Sequence, residues 1–336
     1  MGISMSYFSQ FSGGTPAYPV FTQAFTASVT WVASISGWYQ ITSVGAGGGG
    51  AIGIAIYNTD GRIATSGGGA GGTSIKTAYI PAGTSLVITI GAGGTGGNRN
   101  GQNAGVTSGN SGSITTVVGG GVSLTCNAGA GGTGIHAANT NVEGAVGGNA
   151  TGGDQNFSGG AGGSVTISSN VARASGGGAV GIFGTGFAAS GVTNNQASGG
   201  AGTGASGSTA GGDGYGYAKF GSTANVANNP SAIGIFQGFD LTGTGGNSVV
   251  IAGGQGAGGF GFASGGLGTP AGAGGIFAGG GGGADTNNSG YMGKGGAGGY
   301  GGGGGAGATR TQAAGDEMSG GAGGQGFVQI SLLRPG

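Results

Sequence analysis

Bulky and small side chains alternate in several short runs of this chain. In AIGIAIY, Ala51 to Tyr57, the large Ile52, Ile54 and Ile56 are separated by Gly53 and Ala55, the period of two that a half-buried strand requires. WYQITSV from Trp38 to Val44, LVITI from Leu86 to Ile90 and SITTVV from Ser113 to Val118 carry the same signature. So do SVTIS from Ser164, NSVVIAG from Asn247 and GFVQISLL from Gly326. Alternation in GVSLTCNAG sets Val122, Leu124 and Cys126 on one strand face. No segment sustains a helical period, so the pattern predicts an all-β chain.

Almost every predicted strand runs directly into glycine. The tetrapeptide GAGG begins at Gly45, Gly69, Gly91, Gly129, Gly160, Gly256, Gly272, Gly296 and Gly321. A strand followed by a glycine-rich excursion is therefore the repeating unit, and a unit that cannot bury its own face has to stack on its neighbours. Polyproline II is the natural conformation for the excursions: it has three residues per turn and no internal hydrogen bonds, so its amides point outward. Buried amides need partners, and glycine lets backbones approach closely enough to supply them, with Cα–H···O contacts added. Ala, Ser, Thr or Asn could face out of such a lattice, whereas a bulky residue inside would force it apart. Because ordering glycine costs more backbone entropy than ordering any other residue, the lattice needs cooperative packing on a conventional base. The expected architecture is a β-sandwich-like base with packed glycine-rich polyproline-II-type helices and distal loops. Along the chain this gives an attachment segment over 1–20 and a β-rich base with glycine-rich excursions over 21–170. A helix bundle with recognition loops, and a C-terminal strand returning to the base, follow over 171–336.

Composition removes the competing readings. With 100 Gly in 336 residues the chain lies far outside ordinary globular usage. Only 6 Pro and runs such as GGGGGA break the strict triplet and proline content of collagen. A hydrophobic share of 36% with 5% charged residues is the reverse of a disordered chain. Net charge is zero, which leaves no basic footprint for nucleic acid or an anionic membrane surface. One cysteine excludes an internal disulfide framework and a thiolate zinc cluster, so Cys126 is read as a small core side chain. No apolar run is long enough to span a membrane, and MGISMSYFSQ lacks the basic and apolar blocks of a secretory signal. MGISMS does match the short myristoylation pattern, which a compact start also explains.

Catalytic chemistry has little to stand on. His136 is the sole histidine, so it cannot build a histidine metal site, and a Ser–His pair would depend on it alone. Asp316 and Glu317 could form half of a glycosidase or cation site but also read as a solvated loop. YMGKGGAGG lacks the Ser or Thr of a phosphate loop, and GTGGNRNG is followed by no helix pattern. The expectation is a non-enzymatic protein without cofactor or metal.

What interrupts the glycine is a set of aromatic and polar islands. They are GIFGTGF at Gly181, the long stretch from Gly214 through Asp240, GFGFASG at Gly259 and ADTNNSGYM at Ala284. Rigid aromatic faces flanked by hydrogen-bonding side chains suit protein or sugar recognition; the same aromatics could instead cap the lattice. The candidate binding residues are Phe183, Phe187, Tyr215, Tyr217, Phe220, Phe236, Phe239, Asp285, Asn287, Asn288, Tyr291 and Met292.

The succession FTASVTW, WYQITSVGAGGGG, YIPAGTSLVITIGAGGTGG, SITTVVGGGVSLTCNAGAGG and closing GGAGGQGFVQISL resembles the glycine-rich C-terminal domains of bacteriophage tail-fibre and receptor-binding proteins. The likeness runs from about Phe25 to Leu333, and its most specific parts are IPAGTSLVITIGAGG and the final returning strand. In composition, the later tracts with their islands are similar to the tail-fibre tip adhesins of T-even-like phages. The resemblance implies a virion protein at a distal tail fibre or tail tip that binds a bacterial outer-surface receptor, protein or polysaccharide, without cleaving it. It also implies contacts with other tail-fibre or tail-tip subunits, a homotrimer among the arrangements allowed, and neither nucleic-acid binding nor membrane insertion. The sequence lacks the long shaft of a full tail fibre, which leaves attachment to the first twenty or so residues or to another subunit. Two readings compete: an ice-binding glycine-rich protein, which needs a repeated flat face of small residues, and a purely structural fibre component, which needs no aromatic loops gathered at one end.

Overall fold

A computed structural model describes residues 22–56, 63–99, 105–136, 141–166, 172–182, 184–192, 198, 200–202, 262–263, 271–285, 294–311 and 318–336. Among them every regular element is a strand, and none is a helix. Three zones follow one another along the molecule: a two-sheet base, a body of glycine tracts and a far layer of short strands.

The base consists of two antiparallel five-stranded sheets. In spatial order the first holds Thr22–Phe25, Phe327–Pro335, Gly37–Val44, Thr73–Ile80 and Gln155–Phe157. The second holds Ala150–Thr151, Val122–Cys126, Thr115–Gly119, Ser85–Thr89 and Val29–Val32. Strand alternation sends Tyr39, Ile41, Val328, Ile330 and Leu332 from one sheet into a shared core with Trp31, Leu86, Ile88, Val117, Val122 and Leu124 from the other. Each fully buried aliphatic side chain there contributes about 1.5–3 kcal/mol. The last strand is central to its sheet, since Phe327–Pro335 lies between Thr22–Phe25 and Gly37–Val44. Cys126, like Val122 and Leu124, is buried; burial pushes its thiol up to about 11, against the opposing effect of hydrogen bonds at Ser43 and Ser74.

Where the base strands stop, glycine tracts start. Tract 45–51 continues Gly37–Val44, and its amides are distributed with a period of three. Gly45, Gly48 and Ala51 donate to Gly72, Gly69 and Ser66, while Gly47 and Gly50 donate to Gly324 and Gly321. Its carbonyls at Ala46 and Gly49 accept from Gly129 and Gly132, those at Gly47 and Gly50 from Gly94 and Gly97, and that of Gly48 from Gly304. Gly49 also donates to Asn110. Tract 45–51 is thereby ringed by six others: 66–72, 127–133, 107–113, 91–97, 320–326 and 301–305.

The same bonding places the remaining tracts. Tract 66–72 is bonded to 45–51, 127–133, 145–149, 158–163, 175–180 and 301–305. Tract 301–305 is bonded to 45–51, 66–72, 175–180, 278–283, 294–299 and 320–326. The bonds order most of the tracts in rows, with tract 271–275 bonded beyond the fourth row to 294–299 and 278–282. The first row is 107–113, 127–133, 145–149; the second is 91–97, 45–51, 66–72, 158–163. The third is 320–326, 301–305, 175–180, 186–189, and the fourth is 294–299, 278–282 and the tract through Ser198 and Ala201. Most glycine positions of the inner tracts have no room for a side chain, while Ala46, Ala51 and Ala70 each bury a methyl group there. A Cβ added to Gly48 would sit 1.9 Å from the carbonyl oxygen of Ala130, and one added to Gly303 would sit 2.0 Å from that of Gly68. Outer tracts show the threefold period in their exposure. Gly91, Gly94 and Gly97 are buried while Ala92, Thr95 and Asn98 are exposed, and the cycle recurs with buried Val142, Ala145 and Gly148 against exposed Glu143, Val146 and Asn149. The alanine of the GAGG unit follows position in the lattice: buried at Ala46 and Ala70, exposed at Ala92, Ala297 and Ala322.

Between base and lattice an apolar joint gathers Val44, Ala70, Val180, Ile182, Phe277 and Phe327. The Phe277 ring stands edge-on to Phe327 at 5.4 Å, and Tyr300 leans on the same ring at 5.7 Å. Phe277 adopts φ of 62°, a conformation costly for a non-glycine residue, which its burial in this joint offsets. Residues on both sides of position 170 build every zone: Gly178 donates to Gly68, and Gly303 to Gly178.

Candidate functional site

The far end of the lattice is closed by short strands. Phe262–Ala263, Gly283–Asp285, Gly307–Thr311, Ile52–Ile56 and Gly105–Thr107 form one sheet in that order, mostly parallel. Gly134–Ile135, Ile63–Thr65 and Ala172–Ala174 form a second, and Asn141–Val142 with Val165–Thr166, and Met318–Ser319 with Asn98–Arg99, form pairs. These strands exist because small apolar residues return where the glycine stops. Ala55, Ile63, Ala174, Ala284, Ala306 and Ala308 make one small core; Ala64, Val142, Val165 and Val192 make another; Ile52, Ile54 and Met318 make a third.

This layer carries the roots of eight connections. Segments 57–62, 100–104, 137–140, 167–171, 193–197, 264–270, 286–293 and 312–317 lie outside the described residues, but their flanking residues are paired within one network. Ile56 is opposite Thr311, Arg99 opposite Met318, and Gly105 opposite Ile54. Ile135 is opposite Ala64, Asn141 opposite Thr166, and Ala172 opposite Ile63. Val192 bridges Val165, Asp285 is opposite Thr309, and Ala263 opposite Ala284. Ser198 donates to Ala174 and Ala271 to Lys294. All these roots lie at the end opposite the base.

Polar side chains fix the roots in place. Thr65 donates its hydroxyl to the carbonyls of Arg173 and Gly307 at 3.2 and 3.0 Å. Arg173 is 4% exposed and donates through Nη1 to the Thr166 carbonyl; burial lowers its pKa. Arg99 donates to the Val106 carbonyl at 3.1 Å. His136 is exposed at the root of 137–140. Among the described residues no group of three or more His, Cys, Asp or Glu side chains converges, and Asp316 and Glu317 lie outside them. The arrangement is one in which a rigid frame holds many loop roots together, which is how binding loops are commonly presented.

The sequence-derived binding residues divide unevenly. Asp285 closes the strand Gly283–Asp285 in the root layer. Phe187 is at the other end of the lattice, half-buried against Ala179, Ala189 and Ala201, so it is apart from Asp285 and packs as a cap would. Phe183, Tyr215, Tyr217, Phe220, Phe236, Phe239, Asn287, Asn288, Tyr291 and Met292 lie outside the described residues, although Asn287 to Met292 belong to the connection rooted at Asp285 and Lys294. Sequence reasoning missed Arg99, Thr65 and Arg173 as root-fixing groups. Their signal was weak, because strands of two or three residues leave no readable period.

Comparison of the chain with protein-family models and with curated proteins finds no match.

Proposed function

We propose that this protein is a receptor-binding adhesin of a bacteriophage tail-fibre tip, located on the virion, which binds a bacterial surface receptor through the loops at its far end and does not cleave it. The observation that carries this reading is the gathering of eight loop roots on one face of a frame whose other end is a conventional β base. A purely structural fibre component has no need of that asymmetry. In the same reading the two base sheets are a β-sandwich-like mount and the tracts are polyproline-II-type helices. Their amides address neighbours with a period of three and the bonds run between tracts, as expected for a helix that has no bonds of its own. The base then faces the other tail-fibre subunits, and receptor binding is assigned to the connections 264–270, 286–293 and 312–317 and to the island around Tyr215 to Asp240, which lies in the segment between Gly202 and the far-layer residue Phe262.

The test is adsorption. Tyr217→Ala, Phe239→Ala and Tyr291→Ala should each leave the melting temperature unchanged, and at least one should weaken attachment of purified protein to host cells, because a few aromatic anchors carry about 2 kcal/mol or more each in such interfaces. Undiminished adsorption in all three would remove these islands from the binding site.

A second reading, ice binding, is favoured by one feature. Two outer tracts, on either side of tract 107–113, expose small or polar residues: Ala92, Thr95 and Asn98 on one, Asn127 and Thr133 on the other. Thermal hysteresis of a solution of the protein, abolished by Thr95→Lys with Thr133→Lys, would select that reading over the adhesin; freezing behaviour no different from that of an inert protein would dismiss it.

A further inference from the structure

The two base sheets turn different chemistry outward. On the first, Trp38 is opposite Tyr79 with the Arg334 guanidinium over its ring, and the Lys76–Asp154 ion pair lies beside the edge strand Gln155–Phe157. The strands of the second, from Val29–Val32 to Ala150–Thr151, contain no Asp, Glu, Lys or Arg. Register fixes which of its side chains share the outer side. Trp31, Leu86, Ile88, Val117 and Leu124 point into the core, so their neighbours along each strand point away from it. Val118 is opposite both Val87 and Ser123, and Val87 is opposite Thr30. The row nearer the lattice joins Thr151, Thr125, Thr116 and Thr89, and Val32 is opposite Ser85 on the other side. Val32, Val87 and Val118 are 51%, 52% and 49% exposed. Half-open valines set among threonines, on one pleated side without charge, make a surface of the composition that interface centres have.

What this side fits is a copy of itself. A pleat of Val and Thr packs on another such pleat with side chains interdigitated, as the sheets of a sandwich do, and the absence of charge removes the repulsion that holds identical surfaces apart. Its extent is adequate once the adjoining tracts are included. Tract 91–97 follows Ser85–Thr89, tract 107–113 leads into Thr115–Gly119, and tract 127–133 follows Val122–Cys126; all three are uncharged and expose Thr95, Ser111 and Thr133. Four strands at about 4.8 Å spacing, with a strand and its tract at about 3.1–3.4 Å per residue, cover roughly 19 Å by 40 Å, or about 750 Å². A standard interface takes about 800 Å² from each partner. The sheet by itself would give only about 300 Å², so sheet and tracts are needed together.

We propose that the outer side of the second base sheet, with the tracts that prolong it, is a homotypic interface on which two copies of the chain pair face to face, Val87 and Val118 lying at its centre. The contact is isologous and therefore closes at two. It is independent of receptor binding and stands whether or not the loops engage a receptor.

The experiment is sedimentation velocity of the full chain from nanomolar to high micromolar concentration, beside two variants whose melting is checked first. Val87→Lys with Val118→Lys puts two ammonium groups at the centre of the proposed contact, and Gln40→Lys puts one on the exposed outer side of the first sheet. The expected result is a reversible monomer–dimer equilibrium in the native chain, unchanged in Gln40→Lys and weakened by about tenfold or more in the double variant, where like charges meet across the axis. If the double variant loses its cooperative melt, Thr116→Arg, in the adjacent row of the same side, replaces it with the same expectation. A native chain that stays monomeric throughout the range overturns the proposal without recourse to any variant. Dimers that persist undiminished in the folded double variant, dimers lost equally in Gln40→Lys, or assembly to a trimer or to open-ended chains each overturn it as well, since the first two place the contact elsewhere and the last requires a heterologous one.

Discussion

Replacing Gly303 by alanine adds one methyl group to the middle of the lattice. The new Cβ would lie 2.0 Å from the carbonyl oxygen of Gly68, a backbone atom that no rotamer change can move. Gly68 is bonded on both sides: its amide donates to Gly304 at 2.8 Å and its carbonyl accepts from Gly178 at 3.0 Å, while Gly71 donates to Gly301 at 2.8 Å. Separating tract 66–72 from tract 301–305 enough to admit the methyl breaks or stretches the two bonds between them, from Gly68 to Gly304 and from Gly71 to Gly301. Each buried amide left without a partner costs about 1–3 kcal/mol, so the substitution costs about 2–6 kcal/mol. The reduced freedom of alanine in the unfolded chain returns only about 0.4–1 kcal/mol. The loss is a large part of a net stability of about 5–15 kcal/mol.

Gly184 is the matched control. It lies in the island GIFGTGF between two tracts, where a Cβ meets nothing within 4 Å. Gly184→Ala should therefore be neutral or slightly stabilising. Calorimetry of both variants at one scan rate decides the matter. At about 2–4 °C per kcal/mol for larger domains, Gly303→Ala should melt lower by on the order of 10 °C or fail to fold, and Gly184→Ala should melt with the parent. Two variants melting within about 2 °C of each other would show that the tracts are not held by close backbone contact, and the lattice would have to be abandoned as the source of stability.

Three further outcomes follow from other zones. Cys126, held at about 11 by burial, should resist thiol reagents at pH 8 in the folded protein and react at once in denaturant; fast native labelling would contradict the packing of Gly37–Val44 on Val122–Cys126. Phe327→Ala empties the joint between base and lattice and should cost about 3–5 kcal/mol, read as a lower denaturation midpoint, while the base core around Tyr39 is untouched. Asp154 accepts from the Thr77 amide and from Lys76 at 3.0 Å, bonds that hold its carboxyl below the usual range. A depressed folded pKa gives stability that is present above the unfolded pKa, about 3.9, and lost as pH falls through the folded value. Asp154→Asn should therefore lower stability slightly at pH 7, where the contribution of the carboxylate is fully present, and flatten the acid limb so that the two proteins converge at low pH; identical curves in both proteins would count against the contact.

How much of this was legible beforehand depends on the length scale at which each part is encoded. The base was readable because its strands are long enough for a period of two to show: WYQITSV, LVITI and GFVQISLL fall within Gly37–Val44, Ser85–Thr89 with Ile90, and Phe327–Pro335. AIGIAIY was equally readable as a strand, but its place was not. Ile52–Ile56 belongs to the far layer, seven residues of glycine and alanine beyond Val44, because a tract that crosses the lattice carries the chain away from the base before the next apolar residue appears. The far layer as a whole was missed for the same reason, its strands being mostly two to five residues long. The number and rows of tracts were not legible either, since GAGG is identical wherever it occurs and only the partners of its amides differ.

That indifference of the tract sequence has a functional corollary. A position such as Gly48, 1.9 Å from the Ala130 oxygen were a Cβ present, admits one residue type, and so does nearly every inner position around it. Outer tracts accept side chains at exposed positions such as Thr95 and Val146, but the inner tracts tolerate change only where they end. At the base end those places are occupied by the joint of Val44, Val180, Phe277 and Phe327, whose shape is fixed by mutual packing. At the other end the small cores of Ala55, Ala174 and Ala308 with Ile63, and of Val142 and Val165, hold the roots while leaving whatever lies between them free of the lattice's constraint. A protein built this way can exchange what it presents at one end without renegotiating its fold, and the demand for such exchange is greatest in a molecule whose counterpart on another cell keeps changing.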